Sequence, residues 1–89
     1  MLNKMALFQN YPNPFNPDTQ ISFYLPKKGD VQITVYNILG QEIYTITKNG
    51  FNSGLNSITF NGSNFSSGAY FYQIKAGGNI QMKRMLLIK

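Results

Sequence analysis

Tyr11-Pro12-Asn13-Pro14-Phe15-Asn16-Pro17-Asp18, continuing into Thr19-Gln20-Ile21-Ser22-Phe23-Tyr24-Leu25, joins a proline-rich opening to an alternating apolar strand. Each Pro holds φ at about −65° and removes an N–H, and the residue before each Pro is pushed to extended geometry. Tyr11, Asn13 and Asn16 are therefore excluded from helix. The side chains of Asn13, Asn16 and Asp18 are expected to accept hydrogen bonds from backbone N–H groups two residues on, stiffening the segment without a ladder. Phe8, Tyr11 and Phe15 then read as anchors on a rigid lead-in to a β-domain.

Outward from this stretch, apolar residues recur with period two, and nowhere does a clean helical stripe appear. Ile21, Phe23 and Leu25 share one face of the first strand, with Gln20, Ser22 and Tyr24 on the other. Pro26 ends it. After the polar turn at residues 27–30, Val31, Ile33 and Val35 point inward from the next strand. Ile38-Leu39-Gly40 breaks the alternation, and Gly40 tolerates the positive φ of a corner. In residues 41–48, Ile43 and Ile46 fall on opposite faces unless a bulge intervenes. Asn56, Ile58 and Phe60 share a face, and Phe65 reads as an inward plug in the following loop. Tyr70, Tyr72 and Ile74 face one way and Phe71, Gln73 and Lys75 the other. Gly77-Gly78-Asn79 predicts a tight hairpin, because glycines accept the positive φ of primed turns. About seven strands at this spacing predict an all-β, immunoglobulin-like antiparallel β-sandwich, with a small barrel as the alternative.

Composition narrows the classes of function. The 89 residues form one domain, with no Cys to staple it, so a compact core rich in Phe and Tyr has to suffice. No stretch is long and apolar enough to span a bilayer, and residues 1–8 lack the apolar region of a secretory signal. The net charge of +5 is spread along the chain. Nucleic-acid binders concentrate positive charge and interleave it with aromatics, so solubility and the blunting of strand edges by Lys explain it better. With no His and no Cys, Ser-His and Cys-His nucleophiles are impossible here. Asp18, Asp30 and Glu42 lie in separate turns or strand starts and offer no paired acid and base. Oxygen ligation of calcium by Asn13, Asn16 and Asp18 is the weaker reading beside hydrogen-bonded Asx turns, since one carboxylate is too few. No catalytic residue, metal site or cofactor is expected.

Four blocks in order, YPNPFNPDTQISFYLP, VYNILGQEI, SSGAYFYQIKAGG and the terminal KRMLLIK, carry a resemblance from Phe8 to Lys89. The chain resembles the type A C-terminal sorting domains of bacterial type IX secretion, and its first block is shared with the immunoglobulin-like domain of flagellar hook capping proteins. The resemblance implies residues 1–7 as a linker or remnant and residues 8–89 as the sorting domain. It implies a non-catalytic signal that directs an upstream cargo domain across the outer membrane to the cell surface or medium. The partners implied are the outer-membrane translocon, shuttle proteins and a sortase-like peptidase, without nucleic acid and without membrane insertion. A sorting tag is expected to end the polypeptide, and on this resemblance Lys89 is its expected end. A structural assembly module like the hook capping domain, or an adhesive sandwich binding sugars through Tyr24, Tyr36 and Phe71, are the rival readings.

On this resemblance the residues read by the machinery are Lys83, Arg84, Met85, Leu86, Leu87, Ile88 and Lys89. Arg84 stands where a lysine is common in the family, which retains the charge and not a Lys-specific contact. Met85, Leu86, Leu87 and Ile88 cannot all face one side of a sheet, so two of them point away from the core or the strand is covered on both faces. An exposed edge here would be open to strand addition. Pro12, Asn13, Pro14, Phe15, Asn16, Pro17, Gly40, Gly68, Tyr70, Gly77 and Gly78 are expected to be structural. Gly68 is expected to allow close approach of its loop, and Tyr70 to pack inward with its hydroxyl on backbone near the corner.

Overall fold

The computed structural model describes residues 4–89. Its strands are β1 (Ala6–Leu7), β2 (Asp18–Leu25), β3 (Gly29–Tyr36), β4 (Glu42–Phe51), β5 (Gly54–Asn61), β6 (Gly68–Ala76) and β7 (Asn79–Leu87). They form two sheets, β1-β2-β5 and β4-β3-β6-β7. Every pairing between these strands is antiparallel. Two separate sheets make this a sandwich and rule out the barrel.

Alternation decides which residues meet between the sheets. Ile21, Phe23 and Leu25 of β2 are buried, as are Val31, Ile33 and Val35 of β3 and Tyr70, Tyr72 and Ile74 of β6. Phe60 of β5 is an aromatic hub, edge-on to Phe15 and Tyr44 and stacked on Phe65 at 5.8 Å between centroids. Such contacts add to the area term that dominates a core of this size.

The interruptions follow local chemistry. Val35 pairs with Tyr44 and Tyr36 with Glu42, so Ile43 is the extra residue of a bulge. That bulge lets Ile43, Tyr44 and Ile46 all pack against the core. Gly40 takes φ +80 at the preceding corner. The Asn37 Oδ1 there accepts from the N–H groups of Leu39 and Gln41. Ala76 pairs with Asn79 across Gly77 and Gly78, both at positive φ, as a primed two-residue turn requires.

Three expectations are corrected. Of the three lead-in anchors only Phe15 is buried; Phe8 is 39% and Tyr11 81% exposed. Tyr11 and Phe8 bond to the backbone of Gln20 and Ser22, which places their side chains on the outer face of the β1-β2-β5 sheet. The linker expected over residues 1–7 does not extend through Met5 and Leu7, which are core residues, or through β1, which pairs with β2. The remainder of that linker, residues 1–3, lies outside the described residues. Finally, an added Cβ at Gly68 meets nothing within 4 Å, whereas at Gly62 it would meet Leu87 Cδ2 at 3.0 Å and Phe15 Cε2 at 3.2 Å. The close approach is at Gly62.

Candidate functional site

The proline-rich lead-in and the terminal strand lie at opposite ends of the chain and are bonded to each other. Phe15 forms a parallel bridge with Leu87. Its N–H donates to the Leu86 carbonyl, and its carbonyl accepts from the Ile88 N–H, both at 3.0 Å. The Leu86 N–H donates to Asn13 Oδ1 at 3.0 Å. Asn13 therefore caps a strand 73 positions away in sequence, in place of the local Asx turn expected of it. Gln9 Nε2 donates to the Arg84 carbonyl at 2.7 Å. Together these bonds close the outer edge of the last third of β7.

Burial separates the seven candidate recognition residues. Met85 and Leu87 point into the core. Arg84 and Ile88 are exposed, Lys83 and Leu86 half-buried. Lys89 is tied to the loop after β5: its N–H donates to Ser67 Oγ and its Nζ to the Ser63 carbonyl. The apolar run thus resolves as two residues inward and two outward. Gln9, Asn13, Pro14, Arg84 and Leu86 line a shallow groove along the junction.

A buried polar network holds the lead-in from beneath. The Tyr72 hydroxyl accepts from the Asn10 N–H and donates to the Phe8 carbonyl, both at 2.8 Å. Burial pushes this hydroxyl up to about 12, and the bond from Asn10 pulls in the opposite direction. Asn10 Nδ2 donates to Thr19 Oγ1 at 3.0 Å and to the Pro12 carbonyl, which also accepts from the Thr19 hydroxyl. Among the described residues no buried side-chain polar atom lacks a partner. Sequence reading missed Asn10, Thr19 and Gly62. Asn10 and Thr19, polar residues beside the proline run, were the available signal for the first two, since buried polar groups need partners.

The remaining motif residues are placed as follows. Asn16 is exposed, and the Pro17 carbonyl accepts from the Gly62 N–H at 2.8 Å. The Tyr70 hydroxyl donates to the Ser66 carbonyl, the expected corner contact. Asp30 Oδ1 accepts from the Gly50 N–H. Among the described residues, no three His, Cys, Asp or Glu side chains are grouped to hold a metal ion. No helix of those residues is long and apolar enough to cross a membrane.

The fold is similar to part of the crystal structure of dimeric latent PorU from Porphyromonas gingivalis, with a TM-score of 0.75 at 14% identity. That similarity covers 94% of this chain and 9% of that one, so the chain spans a small part of the protein it matches. No curated protein matches in sequence. The sequence profile described as Secretion system C-terminal sorting domain matches residues 9–89, which include both halves of the junction between lead-in and terminal strand. The chain belongs to this family, the C-terminal sorting signals of type IX secretion.

Proposed function

We propose that this domain acts by recognition without catalysis, presenting the outward residues of its terminal strand to the outer-membrane translocon and its shuttle proteins. The family's function is established: its members are C-terminal signals for type IX secretion, which exports proteins through the outer membrane to the cell surface or medium. The residues proposed as the readout are Lys83, Arg84, Leu86, Ile88 and Lys89. Met85 and Leu87 hold the strand in register from below. An upstream cargo domain and a sortase-like peptidase complete the proposed set of partners.

The observation that carries this reading is the junction itself. A segment read by a partner costs less to bind when it is already ordered. Here the strand end is fixed by Met85 and Leu87 in the core and by Asn13 and Phe15 along its edge, while Arg84 and Ile88 remain in solvent. The rival sugar-binding face has less to support it: Tyr36 and Phe71 are an ordinary cross-strand pair, and the Tyr36 hydroxyl is spent on Gln73.

The test is export of a periplasm-directed fluorescent reporter fused to residues 1–89 in a type IX-competent bacterium, beside Arg84→Glu/Ile88→Asp. Both substitutions are at exposed positions, so folding is expected to survive and is checked by circular dichroism. Loss of surface or medium fluorescence supports the reading; normal export of the folded variant overturns it.

A further inference from the structure

The outer edge of β7 is closed from the Arg84 carbonyl onward and open before it. Its outward backbone groups are identified by their partners: Gln9 on the Arg84 carbonyl, Phe15 on the Leu86 carbonyl and Ile88 N–H, Asn13 on the Leu86 N–H. In an antiparallel ladder the outward direction returns at every second residue. The Arg84 N–H and both backbone groups of Met82 and Ile80 therefore also point away from β6. Among the described residues nothing caps the outward groups of Ile80 and Met82. β1 runs past this stretch bonded to β2, and reaches β7 through the Gln81 side chain, which bonds the Leu7 N–H and the Met5 carbonyl.

Exposed edges are ordinarily blunted by Pro, by a bulge or by an inward charge. Residues 80–84 contain no Pro and the register with β6 is continuous through them; the charges on this edge are Lys83, half-buried on the face it shares with Tyr72, and Arg84, and neither bonds the outward groups of Ile80 and Met82. Ile80 is 57% and Met82 53% exposed, on the same face as the Arg84 side chain. Tyr36, Gly40, Phe71 and Gln73 form a shallow groove beside Met82. Just beyond, the lead-in shows that this edge accepts backbone hydrogen bonds from another segment, because Phe15 forms a parallel bridge with Leu87 and bonds the backbone of Leu86 and Ile88.

We infer that an extended segment of the secretion machinery adds as a strand to the outer edge of residues 80–84, bonding the backbone of Ile80 and Met82. Its side chains on the outer face are apolar toward the Met82 groove and acidic opposite Arg84. The acidic position follows from charge: the chain is +5, and the Arg84 guanidinium has no carboxylate partner among the described residues. The lead-in acts as the stop that sets the register, since Gln9, Asn13 and Phe15 occupy the edge from Arg84 onward. This inference rests on the recognition reading above and adds to it the site and the mode of binding.

Proline at an outward position tests it. Met82→Pro removes an outward N–H and leaves the β6 ladder, which uses residues 81, 83 and 85, in place. With the same reporter, Met82→Pro is expected to lower export at least about tenfold while the purified domain still unfolds cooperatively. Ile80→Lys/Met82→Lys changes two exposed side chains, so it folds independently of the proline variant, and it is expected to lose export too. Normal export of either folded variant overturns strand addition. If Arg84→Glu/Ile88→Asp blocks export while both edge variants pass, recognition stands and strand addition falls. If light scattering finds a dimer of the wild-type domain that Met82→Pro dissolves, the edge is taken by a second copy of the chain, and the inference is overturned.

Discussion

Phe15 and Leu87 lie side by side in a parallel bridge, flanked by bonds from Phe15 to Leu86 and Ile88. The backbone that bonds the outer side of β7 here is therefore supplied by the proline-rich opening. This gives a physical role to the prolines: each fixes φ and lacks an N–H, so the segment is restricted to few conformations while Asn13 and Phe15 reach the edge. It also ties the integrity of the sorting signal to residues near the start of the domain.

Asn13→Ala removes the acceptor for the Leu86 N–H. At a position this close to solvent the expected cost is about 1 kcal/mol, that of one ordinary hydrogen bond. Amide exchange measured by NMR should accelerate at Leu86 and stay unchanged at Ile74 in the core. Unchanged exchange at Leu86 would show that Asn13 does not cap the strand in solution.

Tyr72→Phe leaves the buried Asn10 N–H without its acceptor and is expected to cost about 1–3 kcal/mol in urea denaturation. The wild-type hydroxyl also makes stability depend on pH. Its pKa is raised from 10.0 to about 12, chiefly by burial. Below pH 10 both states carry the proton and the contribution is fully present. Between about 10 and 12 the unfolded chain loses the proton first, so stability falls by up to about 2–3 kcal/mol from this group. Tyr72→Phe should flatten that part of the alkaline slope, and an equally steep slope in the variant would assign the loss to other groups.

Gly62→Ala places a methyl group 3.0 Å from Leu87 Cδ2 and 3.2 Å from Phe15 Cε2. Overpacking at a buried site costs typically about 1–3 kcal/mol. The penalty should shrink when Leu87→Val shortens the facing side chain, a coupling that a double-mutant cycle measures. Additive effects would mean that the methyl is accommodated elsewhere.

Much of this molecule was determined by sequence alone. Val31, Ile33 and Val35 on β3, and Tyr70, Tyr72 and Ile74 on β6, are buried as alternation requires, because successive side chains of a strand must point to opposite faces. Gly77-Gly78 dictated the turn between β6 and β7 for an equally local reason. The blocks around Pro12, Tyr70 and Arg84 carried the family. Tertiary structure alone decided the destination of the lead-in. It turned Asn13 toward Leu86, buried Asn10 on Tyr72, left Tyr11 in solvent and placed Gly62 under Leu87 and Phe15. These contacts join residues as far as 73 positions apart, and no period of side chains along the chain encodes which free edge an extended segment will meet. That choice is made when the two sheets pack, because only then does the edge of β7 come within hydrogen-bonding reach of the opening.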